Sequence, residues 1–115
     1  MRHSIQKLDN GLTLIELSGR LDVAGSAAVD LPVSSACGGA RNVIVDMSGV
    51  EFLASIGIRL LLSGAKLVKR RGGLLVLVAP HEQVAQTIEM SGLAGVLPMA
   101  DDMAQAHEMI DGAAA

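Results

Sequence analysis

The chain has 115 residues and a formal net charge of −3, with 9 Lys and Arg against 12 Asp and Glu. That length builds one domain around one core. Half of the residues are hydrophobic but only 1% are aromatic, Phe52 being the single ring, so modules that stack nucleic-acid bases on aromatic side chains are disfavoured, and the acidic balance argues against binding a phosphate backbone.

Along the chain, Ser4 to Leu8 reads as a short first strand, and Asp9-Asn10-Gly11 as a tight turn. The run Leu12 to Leu17 is apolar on both faces, as in a strand buried on both sides. Ser18-Gly19-Arg20-Leu21-Asp22 then leads to a helix over about Val23 to Ser35, although Gly25 and Pro32 oppose it. Asn42 to Asp46 is a β-branched, buried strand, and the stretch from there to Ala54 is expected to be a loop around Ser48-Gly49.

Ser55 stands where a helix cap or first-turn residue belongs. Behind it Ile58, Leu61, Leu62, Ala65 and Val68 recur at helical spacing. Lys66, Lys69, Arg70 and Arg71 crowd the far end, and Gly72-Gly73 stops the helix. Leu74 to Ala79 is a further buried strand, His81 to Met90 a helix, and Val96-Leu97 a short edge strand. Asp101 and Asp102 open a last helix whose Met103, Ala106 and Ile110 share a face, and Ala113 to Ala115 form a frayed end. Strands alternating with helices imply an α/β layer structure.

Cys37 is alone, so no intrachain disulfide forms, and it is expected to be a small core residue. No signal-peptide pattern opens the chain, and no apolar run approaches the roughly 20 residues that span a bilayer. These features point to the reducing cytosol, without membrane insertion.

Enzymatic constellations are largely missing. Gly64-Ala65-Lys66 lacks the other residues of a phosphate loop, and His3, His81 and His107 have no metal-ligand spacing. No activating base accompanies Ser55 or Cys37. Asp101-Asp102 is read as compensating the helix dipole rather than as a catalytic pair. Lys66 to Arg71 is read as a solvated helix end rather than a patch for an acidic partner. Phe52 is expected to pack in the core and fix the loop before Ser55.

For Ser55 two readings stand side by side. Its hydroxyl suits a helix cap. It also suits a phosphorylation switch, because a phosphate there would add about −1.5 to −2 charges, tolerated by the helix dipole and within reach of Arg59 one turn on.

In order and spacing, Gly19-Arg20-Leu21-Asp22, Asp46-Met47-Ser48-Gly49-Val50, Ser55-Ile56-Gly57-Ile58, Gly72-Gly73 and Met90-Ser91-Gly92-Leu93 resemble the STAS domain family, the bacterial anti-sigma factor antagonists in particular. The resemblance implies a single STAS-like domain over residues 1–112, with 113–115 as a disordered tail. Its small mixed sheet of four or five strands would be flanked by about four helices. It implies no catalytic activity and no cofactor. Such an antagonist binds an anti-sigma factor that is itself a serine kinase, is released when phosphorylated, and is restored by a PP2C-type phosphatase.

Carried over by position, the phosphorylated serine falls on Ser55. The expected partner-binding residues are Asp22, Ser48, Gly49, Ser55, Ile56, Gly57 and Arg59. The chain departs from the family pattern at Ala54, where an acidic residue is common, and at the bulky Ile56. Those departures favour the alternative, a constitutive STAS scaffold or an accessory subunit, for example of a lipid transporter.

Overall fold

Aliphatic strands at the middle of the chain build the centre of a five-stranded sheet, ordered as in the sequence. In the computed structural model, which describes residues 1–114, the strands are β1 (Arg2–Lys7), β2 (Leu12–Leu21), β3 (Asn42–Leu53), β4 (Leu75–Val78) and β5 (Met99–Ala100). The helices are α1 (Val23–Gly39), α2 (Ser55–Arg70), α3 (Glu82–Met90) and α4 (Met103–Ala114). β1 runs antiparallel to β2, and all the other pairs are parallel. The expected α/β sandwich with a mixed sheet is what forms.

The strands that read as apolar on both faces are covered on both. Ile15, Leu17, Val43, Val45 and Leu77 pack with α1, α2 and α3 in the larger core. Leu12, Ile44, Val76 and Val78 face the other way, against Ala106 and Ile110 of α4. The turn at Asp9–Gly11 is a 3-10 turn in which Asn10 and Gly11 take positive φ, as residues with little or no Cβ penalty do.

Several expectations are corrected. The stretch from Met47 to Leu53 is not a loop but the second half of β3. Two register shifts against β2 explain why its pattern was opaque: Glu16 pairs with Asp46 but Ser18 with Gly49, and Gly19 with Val50 but Arg20 with Phe52. Each shift inserts one residue and flips the alternation. Met47, Val50 and Leu53, three residues apart, therefore all turn to the larger core. The same second bulge turns Phe52 outward. It is 40% exposed rather than packed in the core, and the Arg20 guanidinium lies 4.3 Å from its ring centroid.

The helix at Val23 runs on to Gly39 through Pro32. Proline at that position leaves the Ala28 carbonyl without its helical donor, and Ala28 is exposed, where water can take that bond. The last strand is Met99–Ala100 rather than Val96-Leu97, because Leu97 is a fully buried plug and the ladder to β4 begins at the Pro98 carbonyl. α4 continues into residues set aside as a tail, and Ala115 lies outside the described residues.

Candidate functional site

β2 and β3 outrun β4, so their last residues form a two-stranded ribbon from which both α1 and α2 depart. Ala54 N donates to Leu21 O (3.0 Å). That bond sets Asp22 and Ser55, the next residue of each segment, at the same end of the sheet. Each helix has a glycine at its third residue, and each glycine is needed for close approach. A Cβ on Gly25 would lie 1.9 Å from Arg20 O, and one on Gly57 would lie 2.8 Å from both Leu21 Cβ and Leu21 O.

The two helix starts differ in how they are finished. Asp22 is the N-cap of α1, and its carboxylate accepts from Gly25 N (2.8 Å). Its pKa is held below the ordinary aspartate value by that backbone bond first, and then by Arg20, whose Nε lies 3.6 Å away. The N-cap of α2 is Ala54, which offers no side-chain bond. Ser55 is the first helical residue and is exposed, so its hydroxyl is not the cap. The first bond within α2 is Ile58 N to Ala54 O (3.1 Å), so the amides of Ser55, Ile56 and Gly57 are the helix's unpaired donors.

Asp22, Ser55, Ile56 and Arg59 thus gather at one end of the sheet, on the side of α1 and α2. Gly57 is buried beneath them, packed against Leu21 and Leu53. Ser48 and Gly49 are not brought into this group. Ser48 lies with Met47 in the first bulge of β3, its N donating to Asp46 Oδ1 (3.0 Å) and its O bonded by His81 Nε2 (2.6 Å). Gly49 pairs with Ser18, beside Arg2, Ser4 and Glu16.

A groove of about 410 Å³ separates the two helices and starts next to Ser55. Its α1 wall is Val23, Ser26, Ala27 and Asp30, none of which sequence reasoning singled out. Arg20 was also missed, although it belongs to a motif recognised in the sequence. Its stack on the only aromatic ring depends on a bulge that no local pattern announces.

Elsewhere the chemistry is structural. Burial pushes the Cys37 thiol up to about 11, as befits a core residue. Asp102 Oδ1 accepts from Gln105 N (2.8 Å) at the start of α4, a capping role. Arg71 is not simply solvated, because its guanidinium bonds the carbonyls of Cys37, Gly38 and Ala40. Among the described residues no helix is long and apolar enough to cross a membrane, and no group of three His, Cys, Asp or Glu is placed to hold a metal ion.

This architecture is shared with known proteins. The chain is 26% identical over 94 residues to the anti-sigma F factor antagonist of Paenibacillus polymyxa, covering 80% of each. An anti-sigma factor antagonist from Mycobacterium paratuberculosis superposes with a TM-score of 0.85 at 21% identity, over 96% of this chain and 93% of that one. The Bacillus cell fate determinant SpoIIAA in its phosphorylated form gives 0.70 at 21% identity, over 96% and 98%. Residues 5–106 match the STAS domain, and the chain belongs to that family.

Proposed function

We propose that this chain is an anti-sigma factor antagonist, a non-catalytic module that binds an anti-sigma factor with serine kinase activity and is released when Ser55 is phosphorylated. A PP2C-type phosphatase returns it to the binding state. One observation carries the reading: Ser55 is an exposed first-turn serine on an uncapped helix, at the point where two strands and two helices converge.

The chemistry there is permissive for a switch. A phosphate of about −1.5 to −2 charges would meet the unpaired amides of the first turn, which favour an anion. Arg59, exposed and one turn on, offers a counter-charge. The fold would therefore keep its stability while the surface changes sign. Asp22 and Ile56 flank the serine and would present that change to a partner. The relatives that carry the name of anti-sigma factor antagonist, and the phosphorylated form of one structural neighbour, support the same reading.

The test is incubation of the purified chain with its anti-sigma kinase and ATP, followed by intact mass and peptide mapping. One added phosphate, on Ser55, is expected. Ser55→Asp should lose the partner while remaining folded, and Ser55→Ala should bind it constitutively. Equal binding by both variants, with no phosphate transferred, would instead favour the constitutive scaffold or transporter accessory subunit, for which Ala54 and Ile56 are the sequence argument.

A further inference from the structure

At the end of the sheet opposite Ser55, a cavity of about 450 Å³ opens between the edge strand β1 and the last turns of α1. Sites for small molecules measure roughly 300–1,000 Å³. The space is there because the α1 wall is built from short side chains. Pro32, Ser35, Ala36 and Gly39 follow one another at spacings of three and four, and a Cβ on Gly39 would meet nothing within 4 Å. Ile5 and Leu8 line the opposite side.

Two polar groups converge on this apolar cleft. Lys7 and Thr13 are direct partners in the antiparallel β1–β2 ladder, so their side chains leave the sheet on the same side, with Cβ atoms about 4.5–5.5 Å apart. Both line the cavity. Thr13 is only 5% exposed, and its hydroxyl has no hydrogen-bond partner among the described residues. Nor is that hydroxyl sealed in, since the one sealed and unpaired side-chain polar atom among those residues is Ser26 Oγ. Thr13 Oγ1 therefore opens into the cavity, where an unpaired hydroxyl is unfavourable until an acceptor reaches it. Lys7 has no ion pair among the described residues, where Arg20–Asp22 is the only one. No acidic residue lines the cavity.

We infer that this cavity binds a medium-chain aliphatic carboxylate. One carboxylate oxygen accepts from Thr13 Oγ1 and the other pairs with Lys7 Nζ, so neighbouring residues satisfy both. The chain lies between Ile5 and Leu8 on one side and the stripe from Pro32 to Gly39 on the other. That stripe runs about 10 Å along the helix, the reach of a medium-length acyl chain. A phosphate fits less well, because one lysine and no helix N-terminus face the cavity. The carbonyl end of α1 would by itself repel an anion. Arg71 already offsets that end by bonding the carbonyls of Cys37, Gly38 and Ala40. The site lies away from the switch at Ser55 and does not depend on it.

The experiment adds octanoate to the full chain, below its micelle concentration, and follows backbone amide shifts by NMR and the midpoint of urea unfolding. Saturable shifts at Ile5, Thr13, Ser35 and Ala36 are expected, with a rise in the midpoint. Octanol has the chain without the charge, and acetate the charge without the chain. Each should bind at least tenfold more weakly than octanoate. Thr13→Val keeps the shape of the side chain and should weaken octanoate about fivefold, and Lys7→Gln at least tenfold. Urea unfolding without ligand checks that both variants fold. Absence of saturable shifts in the wild-type chain overturns the inference, as do shifts centred on another part of the surface. If octanol binds as tightly as octanoate, or if both variants bind octanoate within twofold of wild type, the cavity does not select a carboxylate and the assignment fails.

Discussion

α1 and α2 leave the same end of the same two strands, are nearly equal in length, and pack side by side, but they are built on opposite plans. α2 is amphipathic, with Ile58, Leu61, Ala65 and Val68 buried and Arg59, Lys66, Lys69 and Arg70 outside. α1 carries apolar residues inside and out. α1 begins under a charged side-chain cap, whereas α2 begins with bare amides and a free serine. α1 thus starts with its first turn finished and α2 with its first turn unfinished, which is the difference that the proposed switch at Ser55 rests on.

The sharpest way to test the shared part of this plan is to fill the two third-position glycines. In Gly25→Ala the new methyl overlaps the backbone carbonyl of Arg20, at 1.9 Å, so the first turn of α1 must lift off the sheet. The expected loss is about 3 kcal/mol or more, larger than the roughly 1 kcal/mol that alanine gains over glycine in a helix. In Gly57→Ala the methyl meets Leu21 Cβ and O at 2.8 Å and Leu53 Cδ1 at 2.9 Å, and at least the Leu53 tip can move aside. There the expected loss is about 1–3 kcal/mol. Urea unfolding of the two variants gives the order, and the reverse order would mean that α2, not α1, is the more rigidly seated helix.

At their far ends the helices are tied by Arg71, just past α2, which bonds the last carbonyls of α1 at Cys37, Gly38 and Ala40. Arg71→Ala should cost about 1–3 kcal/mol. Arg71→Lys should recover only part of it, because an ammonium cannot reproduce the guanidinium fork. The buried Cys37 thiol reports on the same tie. With burial pushing its pKa up to about 11, it should react with a thiol reagent at pH 8 only through opening of the fold, and faster in Arg71→Ala. Equal labelling rates in the two proteins would show that Arg71 does not hold α1 down.

The difference between the two helices was only half visible in the sequence. α2 was legible because its apolar residues repeat with one clear period, which any buried stripe on a solvated helix must show. α1 was not, because its second apolar side blurs that period and Pro32 argues for an early end. The central strands were legible down to their two-sided burial, since β-branched runs such as Asn42-Val43-Ile44-Val45 have few other uses. The end of β3 was not. Two bulges convert a spacing of two into a spacing of three at Met47, Val50 and Leu53, and only the partner strand reveals where the extra residues sit. Ser55 was found because a hydroxyl at a helix start is a local signal. The groove beside it was missed because its walls come from segments about thirty residues apart and meet only in the folded chain.

The smallest expected effect separates the two helix starts by their response to acid. Asp22 is the only titrating cap of the pair, and its pKa in the folded chain lies below the ordinary value, chiefly through the bond from Gly25 N. Its stabilising contribution is therefore complete above about pH 4 to 5, where an unfolded aspartate is ionised, and is lost as pH falls through the lower folded value. Asp22→Asn keeps a cap oxygen of the right reach but no charge to titrate. The gap in urea midpoint between wild type and Asp22→Asn should hold steady at neutral pH and shrink below about pH 4. Both proteins share every other titrating group, so those changes cancel in the difference. A gap that stays constant into strong acid would mean that α1's cap gains nothing from its charge. The contrast with the uncapped start of α2 would then rest on hydrogen-bond geometry alone.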